Sequence, residues 1–396
     1  MAPNPIGAAH TSANLGGSLR ILLVTRSYPA PGDLYQYPFV HRRVVAYIRA
    51  GQDVAVFRPT EQPELGSHQF EDVTCFSGDT RVLRDFVARW QPAVIAVHGF
   101  SEQMWEPLVG LGDAIPICAW LHGSEIPGFF RQKANCIADP AAKAAALQAV
   151  EARCAFWDSF LRRKPKRFKL VFVSNSAVDL ARQDWGAALH PDDYAVIPNP
   201  IDTDLFVYRP KVTADRWRIL MIRPFDSPTY GNDLAVSALL ALAERSDFDR
   251  LRVTIVGDGP LFDETLHPLK HLDNVRIERR FLTQTEIAQR HRSHGIFLVP
   301  TRLDTQGVSR DEAMSSGLVP VTNRVSAIPE FVDDRSAALA PPEDAVGLAD
   351  GVSAMLAEPS LFLRRSAAAA KRVRQQSGHE KIIPREVQFL SAAAQR

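Results

Sequence analysis

From Arg20 the chain alternates short β-branched apolar runs with amphipathic stretches, the pattern of parallel strands covered by helices on both faces. Strands are predicted at Ile21–Thr25, Val54–Phe57, Ala93–Val97, Ile115–Leu121, Leu170–Ser174 and Ala195–Ile197, with helices such as Thr80–Trp90 and Ala141–Leu161 between them. After a polar, proline-containing stretch from Asp202 to Asp215 the alternation restarts at Arg218–Ile222, Arg252–Val256, Val275–Ile277, Ile296–Val299 and Val319–Thr322. Helices are expected over Asp344–Leu356, Leu361–Arg374 and Glu380–Ala394, with a turn of the chain at Pro384. The pattern predicts a loose tail over 1–17, a doubly wound α/β domain over 18–205, a second over 206–375, and a helical segment over 376–396.

Bulk properties narrow the classes. At 396 residues the chain exceeds the size at which one core stops growing, so two domains are expected. An apolar fraction of 46% and a charged fraction of 23% exclude disordered and collagen-like chains, and no run reaches the ~20 apolar residues of a spanning helix. A net charge of +1 gives no global field for nucleic acid, so none is expected as a partner. Cys75, Cys118, Cys136 and Cys154 lack zinc-site spacing and read as reduced thiols of a cytoplasmic protein. The opening residues have neither a basic start nor an apolar run, so no signal peptide is expected there.

The most informative passage runs from Pro300 to Val321: a loop after a strand, a glycine, then a helix starting near Ser309. Asp304 in the loop and Glu312 a turn inside the helix can both face a cleft. The amides of Gly307, Val308 and Ser309 would form an anion site at the helix N-terminus, suited to a diphosphate. Taken alone, the two acids would read as a turn residue and a solvated helical acid. The stretch resembles the signature of the retaining GT-B glycosyltransferases of family 4 (group 1), as do Ala313-Met314, Gly317 and Ala327-Ile-Pro-Glu330. The resemblance implies two facing Rossmann-like domains around a central cleft, with Asp304 on donor-sugar hydroxyls, Glu312 on the ribose and the amides on the diphosphate. The family usually has Glu where Asp304 stands, and often an aromatic residue where Gln306 stands.

Arg223 ends the Arg218–Ile222 strand, where a guanidinium can fork onto phosphate. The family follows this Arg with a Lys; Tyr230 holds that position here, and a phenol brings no positive charge at neutral pH. Three outcomes stay open: Arg223 and the helix dipoles suffice, another cation enters, or turnover is lost. Gly257, opening Gly257-Asp-Gly-Pro260, matches the family's turn below the nucleotide, and Phe281 and Leu282 stand where the family reads the base. The first strand is not followed by a dinucleotide fingerprint, which disfavours an oxidoreductase.

On the acceptor side, His122 in Trp120-Leu-His-Gly-Ser-Glu125 matches the family's His-Gly-x-acid turn, with Glu125 as the acid. Tyr35, Gln36, Tyr37 and His41 are candidate acceptor contacts. Asp202-Thr-Asp204 superficially resembles a metal-binding acid pair of another transferase fold, but a cap or Asx-turn explains it, and no metal is expected. From Arg162 to Lys169 six of eight residues are basic. They read either as cations complementing a helix C-terminus or as a patch for anionic lipid or a lipid-linked acceptor, which would put the protein at the inner face of the membrane.

The resemblance implies a metal-independent, cofactor-free transfer of a hexosyl group, as in polysaccharide biosynthesis. The donor would be a UDP-, GDP- or dTDP-sugar and the acceptor a hydroxyl of a glycan, lipid-linked or small molecule, with His122, Arg223 and Asp304 at the reacting centre. Two rivals are a sugar-nucleotide epimerase of the same fold and a non-catalytic nucleotide-sugar-binding partner of an active transferase.

Overall fold

The computed structural model describes residues 18–30, 33 and 36–395. The tail expected over 1–17 lies outside them. The first sheet holds β1 (Arg20–Thr25), β2 (Asp53–Pro59), β3 (Gly66–Phe70), β4 (Val73–Gly78), β5 (Val94–His98), β6 (Ile117–Leu121), β7 (Phe168–Phe172) and β8 (Tyr194–Val196), in the order β3-β4-β2-β1-β5-β6-β7-β8. The second holds β9 (Arg218–Ile222), β10 (Arg252–Gly257), β11 (Val275–Arg279), β12 (Ile296–Leu298), β13 (Val319–Asn323) and β14 (Ala338–Ala340), in the order β11-β10-β9-β12-β13-β14. Every described pairing in the second sheet is parallel, and its central strands are buried on both faces: Ile219, Leu220 and Met221 of β9 are fully covered, while the edge strand β11 is partly exposed.

The Thr80–Trp90 helix shows how a cap and an apolar stripe together place a helix. In Thr80–Trp90 the Asp79 carboxylate accepts from the Val82 amide at 2.9 Å, and Val82, Leu83, Phe86, Val87 and Trp90 turn inward. The β3–β4 hairpin is not visible in the sequence pattern, because the antiparallel strand Gly66–Phe70 is largely polar and half-exposed. β14 escapes notice because three residues carry little pattern. The turn expected at Pro384 is not there: Pro384 lies inside the continuous helix His379–Gln395, and the chain breaks instead at Ser377-Gly378. That last helix lays Ile382, Ile383 and Leu390 against Ile21, Trp120 and Val171 on one face of the first sheet.

Strand order fixes where a ligand can sit. In the first sheet the order reverses between β1 and β5, and in the second between β9 and β12. Open parallel sheets bind ligands outside the strand ends at such switch points. The loops after β9 and β12 carry Arg223 and Asp304, while those after β1, β5 and β6 carry Tyr37, Gly99 and His122.

Candidate functional site

After β12 the chain is held by Thr301, whose hydroxyl donates to Thr229 O (3.1 Å) and Leu303 O (3.0 Å). Asp304 then closes an Asx-turn by accepting from the Gln306 amide at 3.1 Å. Gly307, at φ 91°, starts the Val308–Ser315 helix without any side-chain cap, so the first-turn amides keep their donors for something else. A Cβ at position 307 would stand 2.8 Å from the Arg310 guanidinium, which packs under the loop and donates to Gln306 O at 2.6 Å. Glu312 is partly buried and makes no hydrogen bond through its carboxylate among the described residues. Burial, with Asp311 and Asp202 adding to it and Arg42 opposing, pushes its pKa up to about 8. It therefore holds its proton at neutral pH.

Arg223 is 7% exposed. One of its nitrogens donates to Pro300 O (3.2 Å) and Tyr230 O (3.4 Å), while Nε has no partner among the described residues. Its guanidinium stands 5.0 Å from the centre of the Tyr230 ring. Burial lowers the Arg223 pKa, and Asp304 and Tyr230 counteract it, so the three candidates share one electrostatic neighbourhood. Gly231, at φ 62°, lets the Tyr230 turn approach the Pro300 backbone. Gly257 has a packing reason of its own: a side chain there would collide with Arg223 O. Phe281 is 45% exposed and Leu282 is buried.

Across the cleft, His122 Nε2 lies 2.9 Å from His98 Nδ1, the two rings stack 17° from parallel, and the Phe39 ring meets His122 edge-on at 4.6 Å. Burial and the nearby Arg43 hold the His122 pKa well below its ordinary value. The group is a neutral imidazole that can orient a hydroxyl but brings no charge. Tyr37 enters the Pro38–Arg49 helix in a left-handed conformation at φ 57°, and its hydroxyl accepts from Arg26 at 3.0 Å. Such strain in a bulky residue is stored where geometry matters.

Three acceptor-side expectations meet a different structure. Glu125 is buried, and one carboxylate oxygen accepts from the amides of both His122 and Gly123 at 2.9 Å. It locks the His122 turn from behind. His41 is 1% exposed, with its nitrogens on Tyr28 OH (2.7 Å) and Glu71 (3.0 Å), so it ties the Pro38–Arg49 helix to the β3–β4 hairpin. Gln36 is exposed and engaged with Ser27 and, at 2.7 Å, with Asp33. Tyr35 lies outside the described residues.

The contacts that join the two sides involve residues given no such role by the sequence. Thr305 donates to His122 O at 2.5 Å, and a Cβ on Gly123 would meet Thr305 and Phe129, each at 3.1 Å. Gln306 clamps the Asn199 backbone, accepting from its amide at 2.6 Å and donating to its carbonyl at 3.1 Å. Asn199 Oδ1 in turn accepts from Arg43 at 3.1 Å, and Arg43 forms a fully buried 2.9 Å pair with Glu386. Glu330 reaches over to the amides of Asn175 (2.9 Å) and Ser176 (2.6 Å). Beside Asp304, elements of both sheets border a solvent-open cavity of about 470 Å³, lined by Thr305, Glu330, Asn175 and Ser176 among others.

The basic segment is largely engaged. Arg162 pairs with Asp158 (2.8 Å), Lys164 with Asp193 (3.0 Å), Lys169 donates to Asp192 O (2.7 Å) and Arg167 to Ala114 O (3.0 Å). The aromatic residues before it point inward: Trp157 and Phe160 are 1% and 5% exposed. A lipid-docking face built on those rings is therefore not formed. Asp202 does cap its turn, accepting from the amides of Asp204 (3.2 Å) and Leu205 (2.9 Å). Asp204 and His379 lie beside it, with potential ligand atoms of the three within 4.8 Å of one another. No single helix among the described residues is long and apolar enough to cross a membrane.

Residues 216–358 match the family of group 1 glycosyl transferases. The chain is 27% identical over 187 residues to the gpi3 subunit of phosphatidylinositol N-acetylglucosaminyltransferase from Schizosaccharomyces pombe, covering 43% of this chain and 38% of that protein. It is 27% identical over 193 residues to MMP alpha-(1->4)-mannosyltransferase from Mycolicibacterium hassiacum, covering 48% and 46%. The matches span less than half the length of these curated relatives. Among solved structures, sucrose-phosphate synthase from Thermosynechococcus elongatus superposes with a TM-score of 0.71 at 14% identity, covering 94% of this chain and 98% of that one. HepE from Anabaena, solved in complex with UDP-glucose, gives 0.68 at 13% identity over 94% and 100%. These likenesses show the fold, which is GT-B.

Proposed function

We propose that this chain, a glycosyltransferase of the group 1 type with the GT-B fold, moves a hexosyl group from a nucleoside-diphosphate sugar to an acceptor hydroxyl with retention and without a metal. The observation that carries the reading is the convergence of Arg223, Asp304 and the uncapped helix at Gly307 on the switch point of the second sheet, opposite the His122 turn. UDP-glucose in the structurally similar HepE supports a nucleotide sugar as donor.

In this reading the donor's diphosphate lies on the amides of Gly307, Val308 and Ser309 and takes hydrogen bonds from Arg223, whose Nε is idle in the empty site. Glu312 receives the ribose hydroxyls and Phe281 flanks the base. Asp304 and His122 hold the sugar from opposite sides. The anomeric carbon–oxygen bond breaks with its electron pair going to the phosphate, the acceptor oxygen bonds to the same face, and its proton passes to the departing phosphate oxygen. Protein groups supply orientation and charge stabilisation. Thr305, between Asp304 and the His122 carbonyl, ties donor and acceptor sides into one geometry.

With Tyr230 where the family has Lys, Arg223 is the one cation of the loop after β9 among the described residues, which leaves room for a second reading, a binding partner that does not turn over. Incubation with a panel of UDP-, GDP- and dTDP-sugars, scoring nucleotide release and the anomeric configuration of the product by NMR, tests both. Release with a retained product is expected; binding of a nucleotide sugar with no release from any donor would favour the second reading. Donor converted without any acceptor would point to an epimerase.

A further inference from the structure

The cavity beside Asp304 has walls from both sides of the cleft. Phe129 and Gln132 come from the Pro127–Asn135 helix, Asn175 and Asp179 from the Asn175–Trp185 helix, and Asp304 and Glu330 from the second sheet's loops. Its volume of about 470 Å³ lies in the range of small-molecule sites, about 300–1,000 Å³. It abuts the His122 turn, since Phe129 and Thr305 both pack on Gly123.

Charge is the informative property. Three carboxylates, Asp179, Asp304 and Glu330, line the cavity, and no Lys or Arg does so among the described residues. The element best suited to an anion there is the N-terminus of the Asn175–Trp185 helix, and it is occupied. Glu330 accepts from the Asn175 amide (2.9 Å), the Ser176 amide (2.6 Å) and the Asn175 side chain (3.2 Å), while Ser174 caps Ala177. What remains are carboxylate and amide groups suited to hydroxyls and one aromatic ring suited to the apolar face of a sugar.

We infer that this cavity is the acceptor subsite and that it takes an uncharged, hydroxyl-rich sugar while rejecting phosphorylated or carboxylated ones. The inference deepens the proposed transfer reaction and rests on it for the word acceptor. Rejection comes from like charge and from the filled helix terminus, a repulsive device rather than a lost contact. Glu330 has two effects: it bridges the two sides of the cleft and denies the helix dipole to a competing anion.

Saturation-transfer NMR on the full chain with UDP present tests it, using methyl α-D-glucopyranoside and methyl α-D-mannopyranoside against glucose 6-phosphate and glucuronate. At least one neutral glycoside should bind, at least about tenfold more tightly than either anion. Glu330→Gln should narrow that ratio by removing one negative charge from the cavity and loosening its hold on the helix terminus, and the exposed Asp179→Asn gives the same direction should Glu330→Gln fold poorly. Equal or tighter binding of the anions, or no binding of any of the sugars, overturns the inference. Calorimetric binding of UDP and nucleotide release are read on the same protein. Loss of both would sink the transferase reading and leave the sugar-binding result standing by itself.

Discussion

The two sides of the cleft differ in how far their polar groups are tied into the fold. On the second-sheet side Arg223 has an idle Nε, Glu312 has no hydrogen-bond partner among the described residues, and the helix at Gly307 has no side-chain cap. On the first-sheet side His41, Glu125 and the Arg43–Glu386 pair are engaged with other parts of the chain, while Arg43 Nη1, His98 Nε2 and His122 Nδ1 have no hydrogen-bond partner among the described residues. Buried polar groups are normally satisfied, so unsatisfied ones mark where a ligand belongs. Most of the first side is tied into a scaffold, with His122 Nδ1 left open in its turn, and the second side waits with Arg223 Nε and the uncapped helix at Gly307.

The largest effect should come from breaking the scaffold. Glu386→Ala strands Arg43 without a counter-charge and should cost about 3–5 kcal/mol of stability, read from the denaturant midpoint. A loss below about 1 kcal/mol would mean that water reaches Arg43 and that the two sides differ less than described. On the waiting side, Arg223→Ala should lower kcat about 10²–10³-fold, the scale of one lost electrostatic donor to a transition state. Unchanged kcat would remove Arg223 from the reaction. His41→Ala should cost about 1–3 kcal/mol of stability by orphaning Tyr28 OH, with the acceptor KM unmoved. A raised KM with unchanged stability would return His41 to the acceptor site. Glu312→Ala should weaken UDP binding at neutral pH by about 0.5–1.5 kcal/mol in calorimetry, the range for a hydrogen bond between neutral groups.

A pH experiment separates the two sides without a substrate. With a folded pKa of about 8 against an ordinary 4.5, Glu312 binds more protons in the folded than in the unfolded state between those values. Its effect is therefore a stability that falls as pH rises from about 4.5 to about 8. Glu312→Gln should flatten the decline of the melting temperature over that window, and identical slopes would show that Glu312 is solvated in the empty site.

Legibility follows the range of the contacts. Asp304, Gly307 and Glu312 occupy one loop and one helix, so their spacing in the chain already carries their geometry. Arg223 stood out because it ends a strand at a switch point, and His122 because its turn resembles the His-Gly-x-acid turn of the family. Thr305 to His122 spans 183 positions, Gln306 to Asn199 107 and Asn175 to Glu330 155, and no local pattern encodes such pairings. His41 was misplaced for a related reason: its partner Glu71 sits in a hairpin whose polar strand did not stand out. The basic run at Arg162 left two readings open, and Arg162 and Arg163 in the last turn of the Pro140–Arg163 helix match the first of them, with counter-charges Asp158 and Asp193 on both sides of the run.

The Arg43–Glu386 pair also sets a timetable. The partners are 343 residues apart, so a ribosome adding roughly 5–20 residues per second leaves Arg43 without its carboxylate for roughly 17–70 seconds. During that interval the face of the first sheet later covered by Ile382, Ile383 and Leu390 is bare. The first half of the newborn chain thus stays open until its last helix is made, and synthesis halted before that helix yields a product with an exposed apolar face.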